Sequence, residues 1–575
     1  MTDKQIHKGN LQSPISNLQS PISNLQSPIS NLQSPISNLL LVLGALLTAA
    51  GLKVWLLLSD IVPFNSDEAV VALMARHITQ GARPIFFYGQ AYMGSLDAWL
   101  VAFGFGLFGE HVWVIRLIQG LLYLGLLVST VKLGEIALGS KRAGIIAAWF
   151  LAVPSVIVTL YTTVSLGGYG EGLLLGNLIL IVGLQIIKSI RHEQRVTNWL
   201  WLAWGFMVGL GVWVFGITLI FSIPMGIFLI VGLWQRARSI QKFLLASQTW
   251  KALGLTVAGG LLGSAPWWVF ASQHGLNQLL WELGGGVIAG VGPSHWLARV
   301  WEHLWSLILF GGTAAFGMRP AWEVRWLALP LLPVALTFWV GVLAFIATRF
   351  KFGQRHRLGA GVLAGSMLTL ALGFVFTSFG VDPSGRYFVP LAVPLALFAA
   401  EMILSLVDDH GRWLWGLIGI ILLYNFWGTA QCANLYPPGL TTQFNAITQV
   451  DHRYMDDLIQ FLSDHGETRG YTNYWVTYPL AFHSQEDLVF VPRLPYHDDF
   501  RYTPRDDRYA PYDDIVEQAS RVAYITTNHP ALNERLRVEF AAAGAAWQET
   551  QIGDYYVFYD LSQIVRPDEI EIYAP

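Results

Sequence analysis

Charge and cysteine are both scarce in this chain. Only 13% of its 575 residues are charged, and 54% are hydrophobic. A soluble domain carries about 25% charged residues, so the composition excludes an ordinary soluble protein and points to a membrane protein. The single cysteine, Cys432, excludes an intramolecular disulfide in any exported part. A net charge of -3 is too small to draw the chain to nucleic acid. No H-E-x-x-H spacing accompanies His295 or His303, which flank Trp296 and Trp301. Those residues read as an interfacial aromatic belt, and no obligatory protein-built metal site is expected. No cofactor is expected either, with a divalent metal left open.

What is abundant is long apolar runs, 24 tryptophans and 56 glycines, which suit interfacial anchoring and close helix packing. Before those runs, LQSPISN repeats four times from Leu11 to Asn38. A proline in every repeat forbids a continuous helix, so residues 1–38 read as a disordered tail. Lacking a basic start and a small-residue cleavage site, the N-terminus leads into a retained first span, Leu39–Leu58.

Ten further runs reach about 20 residues or close to it. They are Val112–Leu133, Ala143–Leu160, Gly172–Ile187, Trp199–Gly216, Ile217–Trp234, Leu253–Ala271, Leu327–Thr348, Leu358–Phe379, Tyr387–Val407 and Trp413–Ala430. Two apolar stretches, Tyr92–Phe108 and Trp296–Phe316, are ambiguous. The basic loops around Arg142, Lys188–Arg195, Arg236–Lys242 and Arg349–Arg357 fall on one side only if neither ambiguous stretch crosses. With that side cytoplasmic, the N-terminus is cytoplasmic and everything after Gln431 is extracytoplasmic. After Cys432 the composition turns charged and aromatic. Arg453–His465 and Ala531–Ala543 read as helices, and Leu488–Pro492, Val522–Thr526 and Tyr555–Tyr559 as strands. The expected fold is a polytopic α-helical membrane protein of about 11–13 hydrophobic helices with a C-terminal extracytoplasmic α/β domain. Its parts are a tail (1–38), a transmembrane module (39–430) whose first exported loop is 59–111, and a soluble α/β domain (431–575).

The stretch from Phe64 to Leu100 carries the most chemistry. Ser66 can cap a helix with Val70, Leu73, Met74, His77 and Ile78 on its apolar face. Asp67 and Glu68 follow in its first turn, where acidic groups suit the helix N-terminus. A carboxylate held just outside the lipid can also do acid–base work.

This acidic pair after the first span, the following ARHITQGARPIFFYG and LFGEHVWVIRL, and the late GRYFVPLAVPLAL (Gly385–Leu397) together resemble the C-type superfamily of integral-membrane glycosyltransferases. The nearest branch in pattern is the dolichyl-phosphate-mannose–protein mannosyltransferase and aminoarabinose transferase group. The resemblance implies an inverting hexosyl- or pentosyltransferase of the cell (inner) membrane and cell envelope, as in protein glycosylation. It would move a sugar from a polyprenyl-phosphate donor to a protein, lipid or glycan acceptor on the extracytoplasmic face. It implies Asp67 as general base and Glu68 as its catalytic neighbour.

Substrate-binding candidates are Arg386 and Tyr387 at the outer end of a span, Glu171 beside the glycine-rich Ser165–Gly170, Gln90 and Tyr92, and Arg83. Arg386 can hold the phosphate through its planar fork or simply snorkel. Arg83 and Arg76 can simply solvate the first-loop helix. Where many members carry a basic residue and two prolines, this chain reads Phe87 to Gly94 with no lysine, so the phosphate role does not transfer to that tract. Asp97 lies in an apolar stretch where an unpaired carboxylate is costly. The alternative function is a transporter or flippase of lipid-linked sugars, which would call for related halves or charged mid-membrane helices; neither is visible.

Overall fold

The computed structural model describes residues 35–283, 295–349, 357–410 and 413–573. The repeat tail, apart from its last residues, lies outside them. The chain is a polytopic α-helical membrane protein with a C-terminal α/β layer. Among the described residues eight helices are long and apolar enough to cross a bilayer: Ile36–Leu58, Val112–Leu138, Tyr169–Arg191, Gly216–Ala237, Leu332–Arg349, Leu358–Phe376, Arg386–Leu406 and Trp415–Ala433. The pair Ser247–Gly263 and Ala265–His274, bent by 62°, makes a ninth if its two halves form one span.

The two other expected spans are present in altered form. Ala143–Leu160 is broken into α5 (Lys141–Ala152) and α6 (Val156–Tyr161), because Pro154 has no N–H to continue the ladder. Trp199–Gly216 is the 17-residue helix Asn198–Val214, which stops where Phe215 turns extended and bridges to Met93.

Neither ambiguous stretch is a candidate span. The first opens as strand β2 (Gln90–Gly94), paired with β1 (Phe86–Phe87), and continues as α3 (Leu96–Phe108). At 13 residues α3 is about 20 Å long, short of a bilayer core of about 30 Å. The second is a helix, Trp296–Ser306, followed by a π-helical turn, Leu307–Gly312.

The preceding helices are α1 (Pro35–Leu58) and α2 (Ser66–Thr79); α4 is Val112–Leu138 and α7 is Tyr169–Arg191. The expected apolar face of α2 is buried, but so is nearly all the rest of the helix. The helix Tyr474–His483 packs across its other side, with Phe64 against Phe482 at 5.3 Å between ring centroids. The cap also differs from expectation. Asn65, not Ser66, is the N-cap, its side chain accepting from Glu68 N at 3.3 Å. Ser66 begins the helix, and its hydroxyl donates to the carbonyl of Tyr474.

The C-terminal α/β layer holds a five-stranded sheet in the order β4-β3-β5-β7-β6. These are β3 (Arg469–Thr472), β4 (Val489–Pro492), β5 (Ala523–Thr526), β6 (Gln548–Ile552) and β7 (Tyr555–Tyr559). β3, β4 and β5 are parallel; β6 and β7 close one edge as an antiparallel pair. The three expected strands are present; β3, β6 and the Tyr474–His483 helix are additions. Because β4 and β5 flank β3 on opposite sides, the chain reverses direction around β3. Ligands of such sheets sit outside the carboxyl ends of strands at that reversal. Here that edge meets the first loop: the segment after β3 begins with Asn473 and Tyr474, and the segment after β4 runs on to Arg508.

Candidate functional site

Asp67, Gln90, Tyr92, Arg386 and Tyr387 converge on one cavity of about 240 Å³. Tyr161 and Tyr169 belong to its wall on the side of the spans, and Thr442, Arg505, Asp506 and Arg508 to its wall on the side of the C-terminal layer. Asp67 sits in the first turn of α2, partly exposed to the cavity. Its Oδ1 accepts from Tyr474 Oη at 2.6 Å, and its Oδ2 faces Thr442 Oγ1 at 3.5 Å. Both partners are hydroxyls, which orient the carboxylate towards the cavity.

Arg386 begins the 3-10 turn Arg386–Leu391 that leads into a span. Its Nε pairs with Asp382 Oδ2 at 2.6 Å, its Nη2 donates to Tyr387 Oη at 3.3 Å, and its guanidinium lies 5.1 Å from the Tyr387 ring centroid. Tyr92 stands between two cations: burial pushes its phenol pKa up, while Arg386 and Arg508 pull it down. The site joins β2, where Gly94 is needed because a Cβ there would meet Trp213 O at 2.7 Å.

Three expected site residues are not brought to this cavity. Glu68 has no solvent exposure and forms a fork with Arg116, Nη2–Oε2 2.9 Å and Nε–Oε1 3.2 Å. One helical step of about 100° turns it away from Asp67 and towards Arg116 of α4, so its expected catalytic position is corrected. Glu171 lies in the first turn of α7, buried beside Asp97. Asp97 itself accepts from Gln119 Nε2 at 2.9 Å, Ser165 Oγ at 2.6 Å and Gly167 N at 3.3 Å. This polar cluster ties α3, α4 and the glycine-rich turn together. Arg83 is exposed on the far side of the loop; Arg76 pairs with Glu110 at 2.7 Å.

Sequence reasoning missed the C-terminal layer's contribution. Arg505, Asp506 and Arg508 lie in RYTPRDDRYA, a charged run with no periodicity, and only the sheet topology brings it over Asp67. Among the described residues, no group of three or more His, Cys, Asp or Glu side chains is arranged to hold a metal ion.

No family model matches this chain, and no curated protein sequence does. Solved structures do. ArnT from Cupriavidus metallidurans bound to undecaprenyl phosphate superposes with a TM-score of 0.52 at 12% identity, over 91% of this chain and 98% of that one. The archaeal oligosaccharyltransferase AglB from Archaeoglobus fulgidus, in complex with an inhibitory peptide and a dolichol-phosphate, gives a TM-score of 0.48 at 12% identity, over 92% and 74%. The likeness to ArnT extends over almost the whole of both chains. It shows that this chain has the fold of ArnT.

Proposed function

We propose that this protein is a membrane glycosyltransferase that moves a sugar from a polyprenyl phosphate to an acceptor on the outer face, by a single inverting displacement. The observation that carries the reading is the juxtaposition, in one cavity, of an arginine at the end of a span and a carboxylate whose hydrogen-bond partners among the described residues are hydroxyls. The ArnT structure was solved with undecaprenyl phosphate, which supports a lipid phosphate as the donor's carrier. In this reading the chain divides near 430 into a membrane module and an outer α/β domain. The loops holding Asp67, Gly167, Arg386 and Tyr474 share the extracytoplasmic side.

The acceptor hydroxyl or amine attacks the anomeric carbon as the carbon–oxygen bond to phosphate breaks. The acceptor proton goes to Asp67, whose Oδ1 is held by Tyr474. The electron pair leaves with the polyprenyl phosphate, which gains a negative charge next to Arg386. The aromatic side chains Tyr92, Tyr161 and Tyr169 exclude water around the sugar.

The test is release of polyprenyl phosphate by purified protein in lipid, supplied with a library of polyprenyl-phosphate sugars and cell-envelope acceptors. Turnover by the wild type, lost in Asp67→Asn while donor binding persists, is the expected result. Binding without turnover across the library would replace this reading with transport of the lipid-linked sugar.

A further inference from the structure

We propose that the outer α/β domain supplies the second phosphate-binding cation of this site, Arg508, in place of the basic residue that the first exported loop lacks. The inference rests on the transferase reading above. The first-loop tract Phe87–Gly94 contains no lysine or arginine. Its Gln90 instead holds a guanidinium from elsewhere. With its amide oriented to satisfy both neighbours, Gln90 accepts from Arg508 Nη2 at 2.7 Å and donates to Tyr92 Oη at 3.0 Å.

Arg508 is fixed on its other sides too. Its guanidinium carbon lies 5.4 Å from the Tyr474 ring centroid, and its backbone N donates to Tyr478 Oη at 2.5 Å. Gly89 has φ +70°, and a Cβ there would sit 3.0 Å from Arg508 Cδ, so the loop accommodates this arginine closely. Arg508 Nε is buried and has no hydrogen-bond partner among the described residues. Arg386 and Arg508 therefore approach Tyr92 from the span side and the outer side of the same cavity.

The chemistry asks for two cations. A sugar phosphodiester carries one negative charge, and the departing polyprenyl phosphate monoester carries up to two. Arg386 is already paired to Asp382 at 2.6 Å, so the charge that develops on leaving needs another donor. A planar guanidinium with an open Nε suits a phosphate oxygen. Interactions that strengthen as charge develops act on turnover and product binding more than on donor binding.

The experiment uses the full chain in lipid and measures the affinity of undecaprenyl phosphate, alongside turnover and melting temperature. Arg508→Gln should weaken undecaprenyl phosphate binding by about tenfold or more and lower kcat more than it raises the donor KM. The double variant Gln90→Lys/Arg508→Gln moves the cation back onto the first loop and should recover most of that affinity, which a purely structural role for Arg508 would not allow. A folded Arg508→Gln protein with wild-type affinity overturns the proposal. If Arg508→Gln does not fold, the double variant decides, since a folded double variant without recovered binding overturns it equally. A wild type that never binds undecaprenyl phosphate would instead fail the transferase reading itself.

Discussion

Asp67 and Glu68 are neighbours in sequence and opposites in environment. Asp67 opens onto a cavity, its two oxygens facing the hydroxyls of Tyr474 and Thr442. Glu68 is completely buried, with both oxygens on Arg116, which also donates to Val62 O at 2.9 Å. The two faces of one helical turn thus separate two uses of a carboxylate. Where a full positive charge meets it in a water-free place, the carboxylate becomes a fastener between α2 and α4. Where hydroxyls meet it beside open space, it is left facing the cavity. The residue type and the sequence position are nearly the same; the partner decides.

The largest effect that could break this comparison is at Asp67. Asp67→Asn keeps the shape and the Tyr474 contact, and should lower turnover by about 10²–10⁴-fold with the melting temperature nearly unchanged. Turnover within a few-fold of wild type would remove Asp67 from the proton transfer. Glu68→Gln should do the reverse. It leaves Arg116, whose side chain is 5% exposed, without its counter-charge, at a cost on the order of 3–5 kcal/mol of stability. Turnover per folded molecule should stay within a few-fold. Replacing both partners by apolar residues, Glu68→Leu with Arg116→Met, should restore much of the stability, since the uncompensated charge is then gone. A stable but inactive Glu68→Gln would put Glu68 back in the chemistry.

The comparison also marks how far the sequence could be read. The first loop, the spans and the family pattern were visible because apolar periodicity and the positions of ionisable groups survive without tertiary knowledge. So were β4, β5 and β7, whose Val, Ile, Phe and Tyr content suits strands. The pairing that distinguishes Glu68 from Asp67 was not visible, because Arg116 is 48 residues away on another helix. Ser66 looked like the cap until the Tyr474 carbonyl, 408 residues on, claimed its hydroxyl. The helix Tyr474–His483 was hidden by Pro479 inside it and by a run of aromatics that suits either a core or a strand. Strand β6 is polar and largely exposed, as an edge strand can be.

A smaller effect sharpens the same contrast at Asp67's own support. Tyr474→Phe removes the 2.6 Å hydrogen bond to Oδ1 while keeping the ring under Arg508. A hydrogen bond to a charged group is worth about 1.5–3 kcal/mol. Turnover should therefore fall by about ten- to a hundredfold, less than in Asp67→Asn. Loss equal to that of Asp67→Asn would mean that Tyr474 itself touches the reacting atoms.

The smallest expected effect concerns the other acid lining the cavity of Asp67, Asp506, which belongs to neither class. Burial pushes its pKa up to about 6, against the pull of Arg508, with Asp67 adding to the rise. A carboxyl whose folded pKa lies above its unfolded value binds its proton more tightly when folded. Its contribution to stability is therefore fully present below about pH 4 and lost as the pH rises through about 6. Asp506→Asn cannot ionise and should lack that loss. Relative to the variant, the wild-type melting temperature should decline by a few degrees between about pH 4 and pH 6 and run parallel above it. A constant difference across that range would mean that folding does not raise the Asp506 pKa. The two outcomes separate an acid beside an arginine that is committed to a substrate from one beside an arginine that is committed to it.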